Sequence, residues 1–149
     1  MSQVLTAQRD QQVEGITLLG GEPFAQAAGV AMLAEKAQRA GLSVMIFSGY
    51  TLAELRANGD PAVAALLTAT DILVDGPYMR ELPETRRRWI GSSNQQIHFL
   101  SGRYRADDPR WLLPNTLEIR LIDGELSVNG FPTRAAADFW RRLPLKARS

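Results

Sequence analysis

Ile16-Thr17-Leu18-Leu19-Gly20-Gly21-Glu22-Pro23 is an apolar run that halts at two glycines, a carboxylate and a proline. Residues able to extend as a strand, then a Gly-Gly break, then a helical pattern read as a parallel strand turning into a crossover helix. Such junctions are where α/β folds place ligands. The glycines let backbone N–H and C=O groups approach a ligand with no Cβ in the way. Glu22 can accept hydrogen bonds from an ammonium, and Pro23 suits the first turn of the next helix. Taken alone, Gly-Gly-Glu-Pro is equally compatible with a tight turn that binds nothing.

Outward from this stretch, Val13 to Leu19 is expected as the first strand, preceded by a polar lead-in from Met1 to Gln12. After Pro23, the spacing of Val30, Leu33, Ala34 and Ala37 predicts an amphipathic helix, with Glu35, Lys36, Gln38 and Arg39 opposite and Gly41 as its stop. Ser43-Val44-Met45-Ile46-Phe47 reads as a second strand buried on both faces, ending at Ser48-Gly49-Tyr50. Thr51-Leu52-Ala53-Glu54 carries the capping-box pattern of a short helix that fails at Asn58-Gly59. Asp60-Pro61 starts another helix, with Val63, Leu66 and Leu67 as its apolar side. Ile72-Leu73-Val74 is the third strand, closing at Asp75-Gly76-Pro77-Tyr78. Strands alternating with helices, each strand ending near a glycine, predict right-handed β/α units and a parallel sheet. One edge of that sheet would collect Gly20 to Pro23, Ser48 to Tyr50 and Asp75 to Tyr78.

At 149 residues, with 45% apolar residues, 22% charged residues and a net charge of +1, the chain has the composition of an ordinary soluble domain. Nothing in that balance calls for nucleic acid or an anionic membrane, and no apolar stretch is long enough to span one, so a cytoplasmic location is expected. There is no cysteine. That excludes disulfides, thiolate metal sites, cysteine nucleophiles and an iron–sulfur cluster held by this chain's own thiolates.

The remaining segments are less regular. Arg80 to Ile90 is a charged stretch containing Arg86-Arg87-Arg88, read either as a solvated run or as a patch for an acidic partner or a phosphate. Gly91 to Gln96 is turn-forming and precedes a short strand, Ile97-His98-Phe99-Leu100. His98 is the sole histidine, and within an apolar strand it reads as a packed residue, with no second histidine to complete a metal site. Leu117-Glu118-Ile119-Arg120-Leu121, Asp123-Gly124 and Leu126-Ser127-Val128 predict an antiparallel hairpin. Thr133 would cap a short final helix through Phe139 and Trp140, before a basic tail from Arg141 to Ser149. The expected division is 1–112 for the β/α part and 113–149 for the hairpin, helix and tail.

Together, Thr17 to Phe24, Phe47 to Leu55, Asp71 to Tyr78 and Gly91 to Gln95 resemble, in order and spacing, the activating enzymes of glycyl radical enzymes. The resemblance is nearest to the anaerobic ribonucleotide reductase activase branch of the radical SAM superfamily, and it covers roughly residues 13 to 100. It implies a partial (β/α) barrel with a mostly parallel sheet, holding a 4Fe-4S cluster and S-adenosylmethionine at the C-terminal ends of its strands. In the family, three cysteines spaced CxxxCxxC hold the cluster, and S-adenosylmethionine is cleaved to a radical that abstracts hydrogen from a glycine of a partner enzyme. By the resemblance, Gly20, Gly21 and Glu22 meet the methionyl ammonium, while Ser48 and Asp75 line the nucleoside and methionine pocket. The partner implied is a glycyl radical enzyme, of the anaerobic ribonucleotide reductase or pyruvate formate-lyase type.

This sequence departs from that pattern. The cysteine loop and the strand before it are missing, and Ile90 stands where the family is commonly basic. No residue is therefore assigned a catalytic or metal-ligating role. Three readings stay open: a portion of a radical SAM activase that is inactive by itself, a cluster-free nucleoside-binding or regulatory docking module, and a plain α/β domain. If the family's first strand is absent, the edge of Val13 to Leu19 is unpaired, and self-association is expected.

Overall fold

The first apolar run forms strand β1 (Gly15–Leu18), shorter at both ends than the expected Val13 to Leu19. In the computed structural model, residues 13–84 and 86–113 are described in full, and 117–122 and 125–130 by their backbone. After β1 come a 3₁₀ turn (Pro23–Gln26), helix α1 (Ala27–Arg39), β2 (Ser43–Phe47), α2 (Leu52–Ala57), α3 (Pro61–Thr68), β3 (Ile72–Asp75) and β4 (Gln96–Phe99). A second 3₁₀ turn (Pro109–Leu112) precedes β5 (Leu117–Ile122) and β6 (Glu125–Gly130).

The four-stranded sheet has the order β1-β2-β3-β4. The pairs β1–β2 and β2–β3 are parallel, as expected from two successive β/α crossovers. The last pair, β3–β4, is antiparallel, placing His98 opposite Leu73 and Gln96 opposite Asp75. The result is an α/β fold with a mixed, mostly parallel sheet that does not close into a barrel, consistent with a partial radical-SAM-like barrel.

The local sequence signals act as their chemistry requires. α1 ends with Leu42 N donating to Ala37 O at 3.0 Å and Gly41 N to Gln38 O at 2.8 Å, a Schellman pair closed by Gly41 at φ 82°. α2 starts at a complete capping box between Thr51 and Glu54. Asp60 caps α3, and Pro61 occupies its first turn.

The face of α1 is the expected alanine-rich one, extended towards the N-terminus of the helix. Ala27, Ala31, Ala34 and Ala37 are buried, whereas Val30 and Leu33 are only half-buried. Small side chains let the helix lie close to its neighbours, so the alanines rather than the larger residues set the contact line. One core joins them to Val44, Ile46 and Leu73 of the sheet and to Leu52, Leu55, Val63 and Leu66 of α2 and α3. Met45 and Phe47, expected to be buried, project from the opposite face of β2 and stay half-buried.

The chain divides into two compact units. The first contains the four-stranded sheet and its helices, and extends through Thr85 and from Ile90 to Asp108. The second takes in Arg86–Trp89 and the chain from Pro109 onward, including the expected hairpin, in which β5 and β6 pair antiparallel from Leu117↔Gly130 to Ile122↔Glu125. The polar lead-in, the Asp123-Gly124 turn, the helix capped by Thr133 and the basic tail lie outside the described residues. No helix among the described residues is long and apolar enough to cross a membrane.

Candidate functional site at the strand ends

Strand β1 ends in a backbone that turns sharply at Gly20 (φ 88°) and Gly21 (φ 57°), a region that L side chains enter at a cost. A Cβ built on Gly20 would meet nothing within 4 Å, and one on Gly21 only Gln26 Nε2 at 3.8 Å. The space over the two glycines is open. Among the described residues, no backbone hydrogen bond of Gly20 or Gly21 is formed outside the regular elements.

Glu22 follows in extended conformation as the cap of the 3₁₀ turn. Its Oε1 accepts from Phe24 N at 3.1 Å and from Ser48 Oγ at 2.9 Å, and its Oε2 accepts from Gly49 N at 2.9 Å. The carboxylate is thereby locked to the end of β2, and Oε2 keeps room for one more donor. Ser48 is buried, and its hydroxyl also accepts from Tyr50 N at 3.1 Å. Two of the expected site residues, Glu22 and Ser48, are therefore in direct contact.

Asp75 reaches the same edge by another route. Its Oδ2 accepts from Leu52 N, the first residue of α2, at 2.6 Å. Neighbouring bonds lace the strand ends together: Ser48 N donates to Val74 O at 2.9 Å and Gly76 N to Tyr50 O at 3.2 Å. Asp75 is buried and turned towards the start of α2, where Thr51 and Glu54 already bond each other. His98 Nε2 lies 2.9 Å from the same Asp75 oxygen, near enough for ion pairing if protonated but outside hydrogen-bond geometry. This contact was not legible in the sequence, because His98 lies diagonally across from Asp75 only in the antiparallel register of β4.

The Gly91 to Gln95 motif has a role that its residue types did not disclose. Gln95 Oε1 accepts from Gly91 N at 3.2 Å and Ser92 N at 3.1 Å, while its Nε2 donates to Gly76 O at 3.0 Å. Asn94 Nδ2 donates to Pro77 O at 2.7 Å, and Ser92 Oγ accepts from Met79 N at 3.1 Å. These bonds tie the Gly91 to Gln95 segment to the loop that follows β3. The only early signal was the density of amide and hydroxyl side chains next to a turn. Ile90, standing where a basic residue was expected by resemblance, is almost fully buried at 1% exposure.

A groove of about 330 Å³ also opens between α2 and α3, lined by Arg56, Asp60 and Thr68 among others. None of the expected site residues lines it.

The donor set does not fit an iron–sulfur cluster. The sequence has no cysteine, and among the described residues no three His, Asp or Glu side chains come close enough to hold a metal ion. What the strand ends offer instead is an anchored carboxylate beside exposed backbone, which suits a cationic or amide-bearing group.

Comparison with known proteins agrees with the four motifs. Residues 1–98 match a family described as a 4Fe-4S single cluster domain. The chain is 38% identical over 88 residues to the anaerobic ribonucleoside-triphosphate reductase-activating protein of Vibrio cholerae, covering 56% of this chain and 54% of that one. It is 32% identical over 91 residues to the Escherichia coli K12 protein of the same name, covering 58% and 56%. The Haemophilus influenzae protein of that name is 31% identical over 103 residues, covering 64% and 63%. The chain thus spans between about half and two thirds of the length of these relatives. No solved structure matches. The chain belongs to the 4Fe-4S single cluster domain family, in a form akin to the reductase-activating proteins and without a cysteine to ligate the cluster.

Proposed function

We propose that this chain is a cluster-free module of the radical SAM activase type, which holds the amino-acid end of S-adenosylmethionine at its strand ends and docks there on a glycyl radical enzyme. Glu22 and the backbone of Gly20 and Gly21 receive the methionyl ammonium, and Ser48 holds Glu22 in place for it. Asp75 contributes by fixing the start of α2 beside the pocket. With no thiolate in the chain, no electron transfer and no radical step is assigned to these residues. The chain works by binding and positioning.

The observation that carries this reading is the Glu22 carboxylate, pinned by three hydrogen bonds beside two glycines whose outer side is open. Docking is supported by the side chains that follow the strands on the same edge. Leu19, Tyr50, Tyr78 and Met79 are all exposed there, Leu19 and Tyr78 by about two thirds. An edge that is apolar around a polar centre is the usual make-up of a partner surface.

Calorimetric titration of S-adenosylmethionine tests the assignment. The chain should bind weakly, and Glu22→Gln, which keeps the side-chain shape but removes the charge, should weaken binding by about tenfold or more. Equal affinity in the two proteins would remove Glu22 from the site.

A further inference from the structure

Arg88 and Trp89 form a cluster with no part in the strand-end site, in the second compact unit with Pro109–Leu112. The Arg88 guanidinium lies 4.4 Å from the centroid of the Trp89 ring. That ring meets Trp111 edge-on, with centroids 5.4 Å apart and planes at 74°. Arg88 N donates to Trp111 O at 3.4 Å. The stack is attractive, because the indole face is negative and the cation sits over it.

Two features of the same cluster are unfavourable. Trp89 has φ 63°, the single non-glycine residue with positive φ among the described residues, and a bulky side chain adopts that conformation only when its surroundings impose it. The Nε of Arg88 is buried with no hydrogen-bond partner among the described residues. A guanidinium has five donors and no acceptor, so a sealed N–H can be satisfied only by an incoming acceptor. One guanidinium N–H of Arg88 is thus uncommitted beside a residue held in a costly backbone conformation.

We propose that Arg88 is the centre of an oxyanion site, in which its guanidinium swings from the face of Trp89 to present Nε and one Nη as a fork to the phosphate chain of a small polyphosphate ligand. The planar fork matches two oxygens of one phosphate at once. Arg86 and Arg87 adjoin Arg88 in the chain, and a run of three consecutive arginines suits several phosphates better than a single carboxylate. The Trp89 ring faces the guanidinium and is itself met edge-on by Trp111. This assignment uses none of the strand-end residues and stands whether or not S-adenosylmethionine binds to them.

The test is calorimetric titration of tripolyphosphate into the full chain at low salt, with Arg88→Lys as the diagnostic variant and Arg56→Met, an exposed side chain of α2, as the control. Saturable binding is expected, weakened about tenfold by Arg88→Lys, which keeps the charge but loses the fork, and unchanged by Arg56→Met. In a Trp140→Phe background, tripolyphosphate should also change the emission of Trp89 and Trp111. Equal affinity in Arg88→Lys and the parent would overturn the site, and so would heats that never saturate. A polyglutamate peptide of matched charge binding as tightly as tripolyphosphate would overturn the phosphate assignment in favour of an acidic protein partner. If Arg88→Lys does not fold, phenylglyoxal labelling of the parent decides: tripolyphosphate should protect Arg88, and equal labelling with and without it would end the proposal.

Discussion

Ser48 Oγ donates to Glu22 Oε1 at 2.9 Å, joining the residue after β1's glycine turn to the residue after β2 across 26 positions of sequence. Because Ser48 is buried while Glu22 is half-exposed, the serine anchors and the carboxylate is presented. Ser48→Ala removes one of the three bonds that aim Glu22. It should lower stability by about 1 kcal/mol, the usual net worth of such a bond, and weaken S-adenosylmethionine binding while Glu22 keeps its charge. Chemical denaturation and calorimetry on the same variant separate the two effects. Unchanged affinity would mean that Glu22 needs no help from Ser48.

Asp71 supports the opposite ends of the strands. Its Oδ2 accepts from Val44 N at 2.8 Å and its Oδ1 from Ser101 Oγ at 2.5 Å, with the residue 4% exposed. Its own N–H and C=O pair with Val44 O and Leu100 N. Asp71→Ala strands a buried backbone donor, and the expected loss is about 2–3 kcal/mol, read as a lower urea midpoint with an unchanged slope. Asp71→Asn should lose less, because one acceptor oxygen survives.

Gly15 is required by close approach. A Cβ at this position would lie 1.9 Å from Ser43 Oγ and 2.6 Å from Ser43 O, its register partner on β2. Gly15→Ala should destabilise by about 1–3 kcal/mol through overpacking. Pairing it with Ser43→Gly should recover part of that loss, since the hydroxyl is the nearer obstacle; no recovery would place the clash on the backbone.

Stability should decline at both ends of the pH scale for identifiable reasons. Hydrogen bonds from the Thr51 backbone and then the Thr51 side chain hold Glu54 below its ordinary value. A carboxyl depressed on folding contributes stability above its unfolded value, and that contribution is lost as the pH falls through the folded one. Tyr104 is shifted upward, first by burial, with the nearby Glu14 adding to it and Ser43 opposing. Its contribution is present below the ordinary tyrosine range and disappears as the pH rises through the raised value. Thermal melts of Glu54→Gln should be flatter than the parent on the acid side, and those of Tyr104→Phe flatter on the alkaline side. Parallel profiles would remove these two groups from the pH response.

Where local chemistry settles local structure, the sequence was readable. The Thr51–Glu54 capping box, the Asp60-Pro61 helix start, the Gly41 stop and the full extent of β2 follow from residue type and spacing alone, and the structure has each of them. The small alanine face of α1 follows from the same spacing, and Ala34 and Ala37 are buried on it, while the extension of that face to Ala27 and Ala31 needs the packed sheet to show it. The antiparallel direction of β4 could not be read, since a short strand after an irregular loop bears no mark of its direction.

The absence of cysteine is a property of the sequence by itself, and it settles the ligand chemistry because no fold can create a thiolate. The order of strands and helices, and the glycine turn with its carboxylate, are likewise written in the chain, as bonds within a few residues decide them. Only the tertiary structure decides what those groups face. Glu22 meets Ser48 and Gly49, Asp75 meets Leu52 and His98, and Gln95 clasps Gly76. Each of these partners is brought in from a different strand or loop, and distance along the chain says nothing about distance in space until the sheet has been assembled.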